Sequence, residues 1–210
     1  MVSLTAVVPA TNDPPTLAAC LDAIAAADEP PEQVVVVTDG DGPAAARNAG
    51  AADATADVIV FVDADVLAHT DAFSRIRAAF DADPRLTAVF GSYDDSPTDP
   101  GMVSQFRNLL HHHVHQQGAG EAKTFWAGLG AVRADAFHAV GGFDAERYRL
   151  PSVEDIDLGT RLVAKGKKIV LDEGELGYDT LIVATGATHS YFGRSEWAPL
   201  FCFPALLKCP

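Results

Sequence analysis

The sequence predicts an α/β fold in which a mostly parallel central sheet is flanked by helices, and three observations support this. The chain has 210 residues, of which 48% are hydrophobic, enough for one packed domain. Over about the first ninety residues, short apolar runs alternate with amphipathic helical segments, as expected for strands that are buried on both faces of a parallel sheet. The unusual polar residues follow directly after the apolar runs, at the edge where such sheets bind ligands.

The first half contains three strand-helix units and a fourth strand. "LTAVVPA" is the first strand, and the helix after it has Asp13 in a capping position, with two prolines that suit a first turn. The next strands are "QVVVVTDG" and "DVIVFVDADV", each followed by a helical segment, and then comes the strand "TAVFGSYD".

The second half is less regular, but its elements can still be predicted. We expect helices in "MVSQFRNLLHHHVHQQ", "DAFHAVGGF" and "VEDIDLGTRLVAKG", and strands in "TFWAGLGAVRA", "KKIVLD" and "DTLIVATGA". His111 and His115 share a helix face, but no carboxylate is near them in the sequence, so we do not predict a metal site there.

Charge and cysteine content limit the function classes. The formal charge of −14 argues against binding to nucleic acid, and an anionic substrate would need a metal ion or a local basic cluster. Cys20, Cys202 and Cys209 fit no metal-ligand spacing, so we expect reduced thiols in a cytoplasmic protein. The apolar segment "APLFCFPALLKCP" is too short to span a membrane, and we expect it to pack on the domain or to make a peripheral membrane contact.

The apolar run "VIVFVDADV" ends in two carboxylates, Asp63 and Asp65. Unpaired aspartates are costly to bury, so these side chains should lie where the strand leaves the core and a cation compensates their charge. Carboxylate oxygens are suitable ligands for Mg²⁺ or Mn²⁺. We expect the chain to bend at this point so that both side chains face one ligand. The alternative is a solvated acidic turn.

Six short segments resemble glycosyltransferase family 2, the inverting nucleotide-sugar transferases, and they occur in the order expected of that family. They are "VVPATND", "VVVVTDGD", "GPAAARNAGA", "VIVFVDADV", "FWAGLGAVRADAFHAVGGFD" and "PSVEDIDLGTRLVAKGKKIVLD". The resemblance covers about residues 4–172. It implies a single GT-A domain over residues 1–172, with a nucleotide-binding half at 1–95 and an acceptor half at 96–172. We expect residues 173–210 to be an atypical C-terminal segment that packs on the domain or extends it.

The resemblance implies a metal-dependent transferase that moves a sugar from a UDP- or GDP-linked donor to a hydroxyl of a glycan, lipid or other acceptor. Asp63 and Asp65 would hold Mn²⁺ or Mg²⁺, and Asp63 would also contact the nucleotide sugar. Arg47 resembles an arginine that lies beside the nucleotide and could pair with Asp65 or with phosphate. A surface arginine is the alternative.

The nucleotide base would lie near the ends of the first two strands. Asp39 resembles the carboxylate that binds the base, and Thr11 and Asp13 would flank the same nucleotide. A turn-capping role for Asp39 and a helix-capping role for Asp13 are the alternatives.

The pair Glu154 and Asp155 resembles the family's catalytic "ED" motif, in which Asp155 would be the general base. Acidic residues are also favoured in a first helical turn, so a purely structural role is the alternative. Trp126 and Gly128 resemble the acceptor segment, where the indole offers a flat face to a sugar ring and the glycine permits close approach. A buried core tryptophan is the alternative.

The C-terminal segment departs from the family pattern. His189 in "GATHSYFG" stands where the family has a metal-binding histidine, and we expect it to be the third protein ligand. Residues 174–199 resemble a short segment of type II NADH dehydrogenases, but no G-x-G-x-x-G motif follows the first strand, so we do not predict flavin binding. Two alternative functions remain: a flavin- or NAD-linked oxidoreductase fragment, and an inactive remnant that binds nucleotide sugars.

Overall fold

The computed structural model describes residues 1–11, 13–97, 100–118, 120–172 and the backbone of 177–180. The elements in chain order are β1 (Leu4–Pro9), α1 (Leu17–Ala25), β2 (Gln33–Val37), α2 (Pro43–Ala52), β3 (Val58–Val62), β4 (Val66–Ala68), α3 (Ala72–Ala82), β5 (Leu86–Phe90), β6 (Ser92–Tyr93), α4 (Met102–Gln117), β7 (Gly120–Ala122), β8 (Leu129–Arg133), α5 (Ala134–Ala139), α6 (Glu154–Ala164), β9 (Lys168–Leu171) and β10 (Gly177–Thr180).

The main sheet has seven strands in the order β2-β1-β3-β8-β5-β9-β7. Strand β1 is parallel to β2 and β3, and β5 is parallel to β9, whereas β8 is antiparallel to both of its neighbours and β7 is antiparallel to β9. The α/β class with a mostly parallel sheet and flanking helices is confirmed, because β2, β1, β3, β5 and β9 run in the same direction, and only β8 and β7 of this sheet make it mixed. The reason is that the chain enters β8 from the carboxyl edge of β3, where Leu129 pairs with Val62.

Both faces of the central strands are covered. All five residues of β3 and of β5 are buried. On one face, helices α1 and α3 contribute Ile24, Phe73 and Ile76 to the core. On the other face, Phe61 packs against the rings of Phe137 and Phe143 at centroid distances of 5.4 and 5.1 Å. Apolar burial of this extent is the main stabilising contribution to the domain.

Strand β2 does not follow the prediction that the apolar runs are buried on both faces. Val34 and Val36 are 43% and 36% exposed. The sequence "QVVVV" could not show this, because β2 is the last strand of the sheet and only β1 pairs with it.

The start of helix α2 was predicted correctly, but the start of helix α1 was not. Helix α2 begins at Pro43, as expected for a proline in the first turn. Helix α1 begins later than expected, with Thr16 as its N-cap residue, so the capping interpretation of Asp13 is wrong. Asp13 is exposed and has a φ of 48°, which shows that it belongs to the loop before the helix.

A second, three-stranded sheet has the order β4-β10-β6. Strand β10 is antiparallel to β4 and parallel to β6, so the segment after residue 172 contributes a strand beside the main domain. His189, Cys202, Cys209 and most of "DTLIVATGA" lie outside the described residues. None of the helices in the described part of the chain has the length and apolar character needed to cross a membrane.

Candidate active site

A cavity of about 500 Å³ opens at the carboxyl edge of β1 and β3. Its walls come from the loop after β1, helix α2, the turn after β3, the segment before β8 and the start of α6. Eight of the predicted site residues line it: Thr11, Arg47, Asp63 and Asp65, together with Trp126, Gly128, Glu154 and Asp155. The structure therefore brings together residues from both halves of the predicted domain.

Asp63 and Asp65 lie in a tight turn between β3 and β4. The Asp63 amide donates a hydrogen bond to the Gly128 carbonyl oxygen at 2.9 Å, and the Val66 amide donates to the Asp63 carbonyl oxygen at 2.9 Å. Beneath the turn, the Cys20 thiol contacts the same Asp63 carbonyl at 3.5 Å. The chain thus turns at the predicted point, and both aspartates line one cavity.

Arg47 is the central cation of the site and is only 6% exposed. Its Nη2 donates to Asp63 Oδ1 at 2.6 Å, and its Nη1 donates to Glu154 Oε1 at 2.9 Å. Helix α2 lies close to the sheet because Gly50 packs on Val7, where an added Cβ would be 2.4 Å from Val7 Cγ1. The surface alternative for Arg47 is wrong, and its carboxylate partner in the loop is Asp63 and not Asp65.

Glu154 is fully engaged in holding this arrangement. It is 5% exposed, and its second carboxylate oxygen accepts a hydrogen bond from the Ser152 amide at 2.9 Å. A buried carboxylate with both oxygens occupied is well suited to fix Arg47. Sequence analysis missed this ion pair because its partners are 107 positions apart.

Asp65 has no such partner and its environment is unfavourable for negative charge. Burial and, to a smaller extent, the nearby charge of Asp63 together raise the pKa of Asp65 to about 6. Arg47 lowers this pKa by less than burial and Asp63 raise it, and its guanidinium is directed to Asp63 and Glu154. The turn therefore carries a carboxylate whose charge is compensated poorly by the described residues.

Asp155 lies in the first turn of α6 and faces the same cavity. One carboxylate oxygen accepts from the Ile156 amide at 2.8 Å and the other from the Ala127 amide at 3.3 Å. Burial raises the pKa of Asp155 despite these hydrogen bonds. The helix approaches closely because Gly159 has no side chain, and a Cβ there would be 2.3 Å from the Phe125 amide nitrogen.

Trp126 is half-buried and lines the cavity from the segment before β8. Its ring centroid is 5.5 Å from that of His111 and 5.4 Å from that of His115, and Tyr93 lies at 6.1 Å. The tryptophan is thus held by an aromatic cluster from α4 and β6 and still forms part of the cavity wall. In the described part of the chain, no group of three His, Cys, Asp or Glu residues has the geometry to hold a metal ion.

Asp39 and Asp13 do not line this cavity, and both are exposed. Thr11 does line it. Because β1 and β2 are parallel and Pro9 pairs with Val37, Asp39 follows β2 at the same edge of the sheet as Thr11. Its role in binding the base stays a prediction.

The mixed sheet, with a ligand-sized cavity at its carboxyl edge, matches the GT-A fold of several solved structures. A mannosyltransferase from Pyrobaculum calidifontis, solved with GDP-Man and Mn²⁺, is similar with a TM-score of 0.65 and 19% identity over 88% of this chain and 58% of that one. S. aureus TarS 1-349 has a TM-score of 0.60 at 15% identity, covering 85% of this chain and 60% of that one. GalNAc-T7 with UDP, GalNAc and Mn²⁺ has a TM-score of 0.61 at 12% identity, covering 86% and 44%.

The sequence comparisons support glycosyltransferase family 2. The model described as Glycosyl transferase family 2 matches residues 40–141, a range that includes Arg47 and the two turn aspartates but ends before Asp155. Pre-mycofactocin glycosyltransferase from two Mycobacterium tuberculosis strains is 30% identical over 136 residues, or 61% of this chain. The chain matches only 28% of the length of that relative. The findings give no support to the resemblance of residues 174–199 to NADH dehydrogenases.

Proposed function

We propose that the chain is a metal-dependent inverting glycosyltransferase that moves a sugar from a UDP- or GDP-linked donor to a hydroxyl acceptor. The observation that supports this most strongly is the single cavity in which a carboxylate pair, a buried arginine and a separate buried carboxylate, Asp155, are brought together. Such a site has the groups needed to bind a diphosphate through a cation and to deprotonate an acceptor. We expect the protein to act in the cytoplasm or at the periphery of a membrane.

The turn aspartates fit a divalent cation. The raised pKa of Asp65 reports poorly compensated negative charge, and carboxylate oxygens are the ligands that Mg²⁺ and Mn²⁺ accept. A bound Mn²⁺ or Mg²⁺ would stabilise the negative charge that develops on the departing nucleotide diphosphate. We expect Asp63 and Asp65 to hold it, with His189 as the further protein ligand.

The remaining residues have distinct roles in this proposal. Asp155 takes the proton of the acceptor hydroxyl, and the burial that raises its pKa also makes it a stronger base. Glu154 acts as a positioning residue, because its carboxylate is occupied by Arg47 and the Ser152 amide. Arg47 in turn orients Asp63. A direct displacement with inversion needs only one such base.

The test is release of UDP or GDP from a panel of nucleotide sugars, with Mn²⁺ and with EDTA. We expect metal-dependent release that Asp155→Asn abolishes. The matched control is Asp157→Asn on the same helix, whose carboxylate binds Arg161 at 2.7 Å outside the cavity and whose replacement should preserve turnover. Equal turnover in Asp155→Asn, or release that does not need metal, would contradict the proposal.

The two alternatives make different predictions. An inactive remnant would bind nucleotide with metal but release no product. An oxidoreductase fragment would purify with visible flavin absorbance or oxidise a nicotinamide cofactor, and no observation on the described residues favours it.

A further inference from the structure

A second cavity, of about 400 Å³, adjoins the candidate active site. Trp126 lines both cavities, and so forms a wall that they share. At the start of α6, Asp155 faces the first cavity and the next residue, Ile156, lines the second. A molecule with a hydroxyl at Asp155 could therefore extend past Trp126 into the second cavity.

The second cavity has a largely apolar interior. Phe90, Phe125 and Leu171 contribute its buried surface, with exposures of 4%, 1% and 4%. Val114 and Ile156 also line it and are more exposed, at 55% and 38%. Exposed aliphatic side chains beside a hydrophobic interior are suited to bind an apolar group.

The polar groups of this cavity do not favour an anion. His111 and His115 line one side, and burial lowers the pKa of both, that of His115 to about 4, so the imidazoles are neutral at physiological pH. Glu121 and Lys123 also line the cavity and bring opposite charges. The lining thus has no net positive charge to attract a phosphate.

We propose that the second cavity binds an apolar part of the acceptor, so that the acceptor is an amphiphile with a hydroxyl-bearing head at Asp155 and an alkyl tail beyond Trp126. The inference rests on the proposed function, because only a transferase needs an acceptor here. It is supported by the shared Trp126 wall and by the chemistry of the second cavity.

Helix α4 offers a control for nonspecific binding. Its outer face exposes apolar side chains that do not line the cavity, among them Val103 and Phe106, which are 53% and 66% exposed. Val114 lies on the same helix, has the same side chain as Val103 and is almost equally exposed, but it does line the cavity. Val114→Asp and Val103→Asp are therefore a matched pair.

The experiment is calorimetric titration of the full chain with alkyl β-glucosides from methyl to octyl, below their micellar concentrations. We expect the affinity to rise about 4-fold for each methylene that enters the cavity. Val114→Asp should remove the dependence on chain length, and Val103→Asp should keep it. Val114→Ser, which adds no charge, should weaken the dependence and serves as a second variant if Val114→Asp does not fold.

Two results would overturn the inference: an affinity that does not change with chain length, or equal weakening by Val103→Asp and Val114→Asp. The first would also result if another part of the chain fills the cavity, and the second would mean that the glucosides bind the outer face of α4. Binding of UDP and GDP with Mn²⁺ is measured on the same samples. Retained nucleotide binding would confine the failure to the acceptor cavity, whereas loss of nucleotide binding in the wild-type chain would count against the proposed function itself.

Discussion

Replacing Asp65 by asparagine should stabilise the metal-free protein at pH 8. Burial and the charge of Asp63 raise the pKa of Asp65 from 3.8 to about 6. Since one pKa unit corresponds to about 1.4 kcal/mol, the ionised carboxylate lowers the free energy of unfolding by about 3 kcal/mol. We expect Asp65→Asn to recover about 2 to 3 kcal/mol, because part of the side chain stays in contact with water.

The pH dependence follows from the direction of this pKa shift. A carboxyl group whose pKa is raised in the folded state contributes its full stability below the unfolded pKa and loses it as the pH rises through the folded pKa. The difference between wild type and Asp65→Asn should therefore be small below pH 4, grow between pH 4 and pH 6, and be constant above pH 7. Among the described carboxyl groups, the titration of Asp65 alone accounts for this pH range.

The assay is urea denaturation in EDTA across this pH range, with the slope of the unfolding free energy against urea checked to be unchanged. In a domain of this size the gain corresponds to a rise of about 4 to 12 °C in melting temperature. Asp41→Asn, at an exposed position outside the cavity, is the control and should have no comparable effect. If Asp65→Asn were no more stable than wild type at pH 8, or equally stabilised at pH 4, Asp65 would not be a poorly compensated carboxylate.

Three further changes test the rest of the site. Arg47→Met leaves Glu154 buried without its cation and should lower the free energy of unfolding by about 3 to 5 kcal/mol, measured by urea denaturation; a loss below about 1 kcal/mol would contradict the account. Gly159→Ala places a Cβ 2.3 Å from the Phe125 amide nitrogen and should cost about 1 to 3 kcal/mol, while an unchanged melting temperature would show that α6 is less closely packed. Because burial raises the pKa of Asp155, kcat should decline with falling pH at a higher pH than an ordinary aspartate allows, and a decline only near pH 4 would argue against Asp155 as the base.

Much of the fold could be predicted from local patterns. The periodicity of "MVSQFRNLLHHHVHQQ" predicted α4, and the proline before "AAARNAG" predicted the start of α2. The direction of β8 could not be predicted, because a short apolar run carries no information about which edge of the sheet the chain enters from. The edge position of β2 was missed for the same reason, since pairing partners are set by the whole topology.

The candidate site was likewise predicted only in part from the sequence. The turn at Asp63 and Asp65 was expected, because aspartates that follow an apolar strand should lie where the chain leaves the core. The link from Arg47 to Glu154 was not expected, since it joins the two halves of the chain and leaves no local signal. Burial, which decides how Asp65 and Asp155 titrate, likewise depends on residues that are distant in sequence.

The most direct test of the central claim is calorimetric titration of the protein with UDP and GDP, with and without Mn²⁺, repeated on Asp65→Ala. We predict that at least one nucleotide binds in the presence of Mn²⁺, that EDTA weakens this binding strongly, and that Asp65→Ala removes the effect of the metal. Nucleotide binding that is the same with and without Mn²⁺, or metal-dependent binding that Asp65→Ala leaves intact, would contradict the account.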